Sequence, residues 1–286
     1  MKYCFEKIAV LPNAQKDAEL IYTKKLLSHL EGKYLVLVQK EFDFLAKEGF
    51  VSVADDKEFY SCDLILVLGG DGTILRAAAN AARASTPIMG INLGRLGYIA
   101  ELETEDIPHI SEILSGELET ESRTMLEVSV VRDGQKVLDG ELALNDAAVV
   151  RASGLGVVEV ELFCNGNAVY KYRGDGLIAS SATGSSAYSM SAGGPVMDTG
   201  LDCISITPIC AHSLRCRPIV FSGDSTFEIK CKADPDHAKL SLDGEETCDL
   251  SDGDTVIVKK SKYRTKLVRA GEHSFCSILY RKMSDI

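Results

Sequence analysis

Asp63-Leu-Ile-Leu-Val-Leu-Gly-Gly-Asp-Gly-Thr-Ile-Leu-Arg-Ala-Ala-Ala79 opens as an unbroken apolar run, passes through three glycines and an aspartate, and continues in helix-forming residues. An apolar run of this length suits a strand buried on both faces, as in a parallel sheet. The turn Gly69-Gly70-Asp71-Gly72-Thr73 then leads into a helix from Thr73. Parallel α/β sheets bind ligands at the carboxyl ends of their strands. Glycines placed there let backbone N–H groups approach a phosphate with no side chain between. Gly69, Gly70, Gly72 and Thr73 are therefore assigned to phosphate binding. Asp71 is the odd member, because a carboxylate repels phosphate; metal contact and a base for a nearby hydroxyl are both open to it. The plain alternative is a turn in which Asp71 or Thr73 only caps the helix.

On the N-terminal side the same rhythm repeats. Apolar runs at 8–11 and 34–38 flank a helix expected over 13–30, and a further run at 87–91 follows the glycine turn. Strands alternating with helices define a doubly wound α/β domain. In the first helix Ala18, Ile21, Tyr22 and Leu26 recur at three- and four-residue spacing, which predicts the face packed on the sheet. A helix is also expected over 106–114. From about residue 120 the texture changes to strands joined by Asp133-Gly134, Asn165-Gly166, Asp243-Gly244 and Asp252-Gly253, each able to supply the positive φ of a tight hairpin. Strict alternation at 158–162 marks a half-buried strand. Two domains follow: 1–118, joined by 272–286 through a short helix over 273–282, and a β-rich domain at 119–271.

The whole chain is consistent with this. Its 286 residues, 45% hydrophobic and 26% charged, are long enough for two folded domains. A net charge of −11 argues against a general nucleic-acid or anionic-membrane surface, so an anionic ligand needs a local positive site. Nine scattered cysteines without a C-x-x-C pair fit a reducing cytoplasm, with Cys203, Cys210 and Cys216 read as buried thiols. The N-terminus reads as a first strand and carries no secretory pattern. The charge-free stretch 176–197 is too rich in Gly, Ser, Ala and Thr to span a membrane.

That stretch begins in Tyr172-Arg-Gly-Asp-Gly-Leu-Ile-Ala-Ser-Ser-Ala-Thr-Gly-Ser-Ser-Ala-Tyr-Ser-Met-Ser-Ala-Gly-Gly194. Tyr188 and Met190 interrupt the polar texture and strands flank it, so it is not a linker. Its small hydroxyl residues suit a wall against a base and ribose, where each hydroxyl can donate and accept. Walker, dinucleotide-fold and protein-kinase phosphate motifs are absent.

Taken in order, Gly-Gly-Asp-Gly-Thr, then Gly90-Ile-Asn-Leu-Gly-Arg-Leu-Gly-Tyr98, then Leu144-Asn-Asp146, then Arg173-Gly-Asp-Gly with Thr183-Gly-Ser-Ser-Ala-Tyr188, resemble the NAD kinase family. The first motif is shared with lipid kinases of the diacylglycerol and sphingosine type; the long Ser/Thr/Gly/Tyr segment is the specific one. The resemblance implies transfer of the γ-phosphoryl group of ATP, or of polyphosphate, to the 2′-hydroxyl of the adenosine ribose of NAD. A lipid kinase and a non-catalytic NAD(H) sensor are the rival readings.

By the same resemblance Asp71 is the base, and Gly72 and Arg76 line the dinucleotide site. Tyr98 lies beside the base, Asn145 and Asp146 contact the nucleoside, and Arg173 and Asp175 lie near the dinucleotide, Asp175 reaching a neighbouring subunit. Thr183, Ser186, Ala187, Tyr188, Ser189, Met190 and Ser191 form the adenine-side segment. A homo-oligomer, tetramer or dimer, is implied. Mg²⁺ is expected to arrive on ATP, with no dedicated protein cage. Asp146 stands where the family often has glutamate, one methylene longer. His212 fits the family pattern and is read as a structural core or hinge residue.

Overall fold

The computed structural model describes residues 5–94, 97–152, 157–232, 238–270 and 275–284. The chain divides into two compact units, Met1–Ser122 with Arg264–Ile286, and Arg123–Tyr263.

In the first unit, β1 (Lys7–Pro12) is followed by α1 (Ile21–Leu30), β2 (Leu35–Gln39), β3 (Val51–Ala54), α2 (Asp56–Tyr60), β4 (Leu64–Gly69), α3 (Asp71–Ala84), β5 (Ile88–Asn92), the short β6 (Leu102–Glu103) and α4 (Ile110–Ser115). The strands pair in parallel in the order β3-β2-β1-β4-β5. The chain winds outward from β1 to β3, then returns to start again at β4 beside β1. That reversal opens a crevice at the carboxyl ends of β1 and β4. All of β4 is buried, as its apolar run requires.

The first helix differs from its sequence reading. Glu19 and Leu20 adopt positive φ (54° and 53°) and break the run, so the α-helix starts at Ile21. Asp17, buried, accepts from Tyr22 N (3.0 Å) and Thr23 N (2.8 Å) and anchors that start. The packed face is Thr23, Leu26, Leu27 and Leu30, while Ile21 and Tyr22 face outward. Residues 40–60 hold a 3₁₀ segment, β3 and α2, none of which the apolar pattern announced. The segment expected as one helix over 106–114 is a 3₁₀ turn (Thr104–His109) leading into α4.

The second unit is built from β7 (Glu119–Arg132), β8 (Gln135–Ala143), β9 (Asp146–Arg151), β10 (Val158–Cys164), β11 (Asn167–Gly174), β12 (Gly176–Ser181), α5 (Tyr188–Ser191), β13 (Cys203–Ile209), β14 (Ile219–Ser222), β15 (Thr226–Lys232), β16 (Ala238–Leu242), β17 (Glu245–Leu250) and β18 (Thr255–Arg269). One antiparallel sheet runs β14-β13-β12-β9-β16-β17, and β11-β10-β15-β18 forms another. Val149, Leu177, Ile204 and Leu240 of the first share one core with Val160, Leu162, Phe227 and Val258 of the second, the arrangement of a sandwich. Asp133, Asn165 and Asp243, each followed by glycine, take the positive φ expected of hairpin turns. Asp252-Gly253 does not close a hairpin, because β17 and β18 do not pair with each other.

Two further expectations are corrected. Cys210 is exposed, sitting just past the end of β13 at a φ of 44°, while Cys203 is buried and Cys216 half-buried. His212 is exposed rather than a core residue, and its backbone N donates to Arg173 O (2.8 Å). The C-terminal helix α6 spans Phe275–Ser284; His273 lies outside the described residues.

Candidate active site

The N-terminal unit sets its candidate residues around the crevice between β1 and β4. Gly70 is the N-cap of α3, Asp71 its first residue, and no side chain caps the helix. Asn13, past the end of β1, donates from Nδ2 to Thr73 Oγ1 (2.8 Å), and its N–H reaches Leu68 O (2.9 Å). Asn13 Oδ1 accepts from the N–H groups of Gln15 and Lys16. This ties the loop after β1 to the glycine turn. A Cβ on Gly70 would lie 2.8 Å from the Lys16 ammonium, so an exposed cation stands over the turn. The sequence reading missed Lys16; its only signal is a basic residue in the loop after the first strand. A Cβ on Gly72 would meet nothing within 4 Å. Gly72 is open on that side.

The Asp71 carboxylate neither caps the helix nor points into water alone. It accepts from the backbone N of Tyr98 (2.7 Å), Ile99 (3.1 Å) and Ala100 (3.3 Å). Gly97 is required at this approach, since its Cβ would lie 2.1 Å from Asp71 Oδ1. Arg269 holds the same loop by donating to Ile99 O and to Glu101. A carboxylate has about four acceptor sites, so three amides leave one direction for a hydroxyl. Tyr98 is half-buried, with the Lys282 ammonium 5.0 Å from its ring centre. Desolvation, then the neighbouring Asp71 charge, raises its phenol above the ordinary value. Arg95 and Leu96 of the same motif lie outside the described residues. Arg76, exposed on α3, lines a cavity of about 730 Å³ with Asn13, Gln39, Phe42, Phe44 and Tyr60, at the carboxyl ends of β1 and β2.

In the C-terminal unit three strand ends converge. β9 begins at Asp146, β12 ends opposite it with Ser180 in register, and β16 ends at Leu242 beside Ala147. Asn145 and Asp146 are buried where they meet. Asn145 Oδ1 has no hydrogen-bond partner among the described residues. Asp146 is pushed up to about 7, first by burial and then by the nearby Asp243 charge. Tyr188, exposed on α5, is raised by desolvation and then by Asp146, with Asp175 also contributing. Asp146, Asp175 and Tyr188 are therefore neighbours. Asp175 pairs with Arg151 (3.3 Å), and Arg173 is exposed at the end of β11.

The segment 183–191 folds as a 3₁₀ turn (Thr183–Ser186), Ala187 and α5. Its hydroxyls are less available than the sequence reading expects. Ser185 and Ser186 donate to Ala182 O and Thr183 O, Ser189 bonds Thr207 (2.9 Å), and Thr183 accepts from Arg123 (3.3 Å). The preceding Ser181 donates to Leu144 O (2.6 Å). Short hydroxyl side chains bond nearby backbone readily, and here that shapes the loop. Tyr188, Met190 and Ser191 are the exposed members, and Ser186 and Ala187 are half-buried.

The burial of Asp146 makes a stability prediction. Its folded value, about 7, lies above the ordinary 3.8, so the native state keeps a proton that the unfolded chain releases between these values. The stabilisation is complete below pH ~4 and lost as pH rises through ~7. Asp146→Asn should therefore stabilise the fold at pH 8, by roughly 2–4 kcal/mol with a matching rise in melting temperature, and by less than half as much at pH 5, where the loss has only begun. Thermal melts of both proteins at the two pH values check this. Equal differences at both would show that the carboxyl is not protonated in the fold.

Among the described residues no group of three or more His, Cys, Asp or Glu is placed to hold a metal ion, and no helix is long and apolar enough to cross a membrane. A glycine turn at the switch point of a doubly wound sheet, with a carboxylate at the helix start and a cation above it, defines a phosphotransferase of the α/β kinase class. Comparison with known proteins makes this particular. Residues 19–121 match the ATP-NAD kinase N-terminal domain and residues 144–270 the ATP-NAD kinase C-terminal domain. The NAD kinase of Symbiobacterium thermophilum is 40% identical over 97% of this chain and 99% of its own; that of Natranaerobius thermophilus is 36% identical over 97% of each. The chain belongs to the NAD kinase family. An NAD kinase from Archaeoglobus fulgidus, solved in complex with ATP, superposes with a TM-score of 0.75 at 26% identity, covering 98% of this chain and 99% of that one. Yeast NADH kinase shares the fold (TM-score 0.90, 22% identity, 99% of this chain and 89% of that one).

Proposed function

We propose that this protein transfers the γ-phosphoryl group of ATP, or the terminal phosphoryl of polyphosphate, to the 2′-hydroxyl of the adenosine ribose of NAD, forming NADP. The observation that carries the reading is the pair Asn145 and Asp146. One presents a buried oxygen without a partner among the described residues and the other a buried carboxyl, at the meeting of three strand ends. Unsatisfied buried polar groups cost about 1–3 kcal/mol each, so they are kept where a ligand completes them. A nucleoside brings the hydroxyls and ring nitrogens to do so. Tyr188, Ala187 and Met190 supply an apolar surface for its base.

The donor's phosphates are taken by the backbone of the glycine turn and by Lys16. The cavity beside the turn is of the size that holds a nucleoside, and Phe42, Phe44 and Tyr60 give it an aromatic lining. Phosphoryl transfer asks the protein mainly for positioning and charge neutralisation. Mg²⁺ carried on the triphosphate supplies counter-charge. Asp71 accepts the ribose hydroxyl proton as the new O–P bond forms, and ADP leaves. The free thiols fit a reducing cytoplasm. A homo-oligomer, dimer or tetramer, is part of the same reading, supported by the exposed apolar Leu201, Leu214 and Val220.

The test is NADP formation by purified protein with NAD, ATP and Mg²⁺, followed by polyphosphate in place of ATP, with diacylglycerol and sphingosine as control acceptors. NADP with either donor and inert lipids is the expected result. Phosphorylated lipid without NADP, or NAD binding without turnover, would overturn the proposal.

A further inference from the structure

Asp243 belongs to the Asp-Gly dipeptide between β16 and β17, which in sequence is only a hairpin turn. Its backbone takes φ 51°, a conformation that Asp tolerates better than most residues. Its carboxylate faces residues 97 to 99 positions earlier in the chain. Oδ2 accepts from Leu144 N (2.8 Å), and Oδ1 from Asn145 N (2.7 Å) and Asp146 N (3.1 Å), while Asp243 N donates to Asp146 O (3.0 Å). Three consecutive amides are gathered by one side chain. The carbonyls of the same turn are held from the other side, Leu144 O by Ser181 Oγ (2.6 Å) and Asn145 O by Ser181 N (2.8 Å). The backbone at 144–146 is thereby fully engaged with protein. Only the side chains of Asn145 and Asp146 remain for a ligand.

We propose that Asp243 is the positioning residue of the dinucleotide site, gathering the amides of residues 144–146 so that Asn145 and Asp146 face the nucleoside of NAD. The inference rests on reading this site as the NAD site. It also gives the two carboxylates different roles. Burial raises Asp243 above the ordinary carboxylate value and its three N–H donors oppose that rise, whereas Asp146, with no such donors and with the Asp243 charge beside it, is pushed up to about 7 and is the member that takes up a proton. The titratable groups facing them are few. Glu245 lies near Asp243 on the hairpin, and Tyr188 lies near Asp146 on α5. A charged Asp146 is a stronger acceptor for a ribose hydroxyl than a protonated one, so NAD affinity should fall as pH drops through about 7.

The experiment uses the full-length protein and two variants, Asp243→Asn and Asp243→Ala. NAD binding is titrated by calorimetry from pH 5.5 to 8.5, and KM values for NAD and ATP are measured. Asp243→Asn puts an amide donor against a backbone donor and removes the charge beside Asp146. The expected result is a KM for NAD raised by about tenfold or more, a KM for ATP changed by less than about threefold, and an affinity inflection moved to lower pH. A structural lesion alone would weaken binding without moving the inflection. In the unaltered protein the amides of residues 144–146 should exchange with solvent only on global unfolding, which tests the contact even where a variant does not fold. Normal NAD affinity with an unmoved inflection in folded Asp243→Asn, or fast exchange at these amides, would overturn the role of Asp243. Wild-type protein that binds no NAD would instead overturn the reading on which it rests.

Discussion

Asp71→Asn is expected to lower the rate of NADP formation by ~10²–10⁴-fold, the usual range for removing a general base and equivalent to roughly 3–5 kcal/mol of barrier. The side chain keeps its shape but loses one oxygen. In the structure three of its acceptor directions are already taken by the amides of Tyr98, Ile99 and Ala100. The substitution therefore acts in two ways. It removes the acceptor left for the ribose proton, and it sets an amide donor against at least one backbone N–H. The second effect loosens the loop that carries Tyr98. Kinetics separate the two contributions. A lost base lowers kcat while NAD binding, measured by calorimetry, changes little; a displaced loop weakens binding. Loss of one neutral hydrogen bond, at ~1 kcal/mol, cannot account for a fall of several hundredfold. Near-normal turnover would remove Asp71 from the mechanism. Loss of NAD binding with proportionate loss of kcat/KM would reduce it to holding the Tyr98 loop. Helix capping, the alternative open from sequence, is not the carboxylate's role, since Gly70 has no side-chain cap and the oxygens point to residues 98–100.

Gly184→Ala should have the largest effect on stability among small substitutions at the site. A Cβ there would stand 2.1, 2.4 and 2.6 Å from the O, C and Cα of Asn145. All three are backbone atoms of a turn fixed by Ser181 and Asp243, so none can yield cheaply. Overpacking of this kind costs about 3 kcal/mol, which in a chain of this size lowers the melting temperature by roughly 6–12 °C. NAD affinity should fall with it, because relief of the clash displaces Asn145. Gly72→Ala is the contrast. Its Cβ would meet no protein atom, so the melting temperature should hold while the KM for ATP rises, the obstruction being to phosphate alone. Thermal melts and steady-state kinetics on the two variants decide the matter. An unshifted melting temperature in Gly184→Ala would show that the turn at 144–146 is not rigid.

These two glycines lie in motifs of similar texture and do different work. In sequence both read as places where a ligand comes close. Gly72 faces open space, whereas Gly184 lets two segments of the same chain touch. The hydroxyls around Gly184 follow the same pattern, closing the loop on itself rather than forming a wall of free donors.

Local order along the chain was sufficient for the features whose cause is local. The apolar run 64–68, the glycine turn and the helix after it dictate a strand, a turn and a helix start in that order, because each depends on a few neighbouring residues. The Asp-Gly and Asn-Gly turns at 133, 165 and 243 are legible for the same reason. The family motifs singled out Asp71 at the helix start in one unit and the buried pair Asn145 and Asp146 in the other. Tertiary structure alone decided what those residues touch. That Asp71 receives three amides from residues 98–100 and that Asp243 binds a turn nearly a hundred residues away are outcomes of packing. The physical reason is common to both. A carboxylate's preference for N–H donors is written in its side chain, but which N–H groups it meets depends on where the sheets bring distant turns together. No pattern within a few residues carries that information.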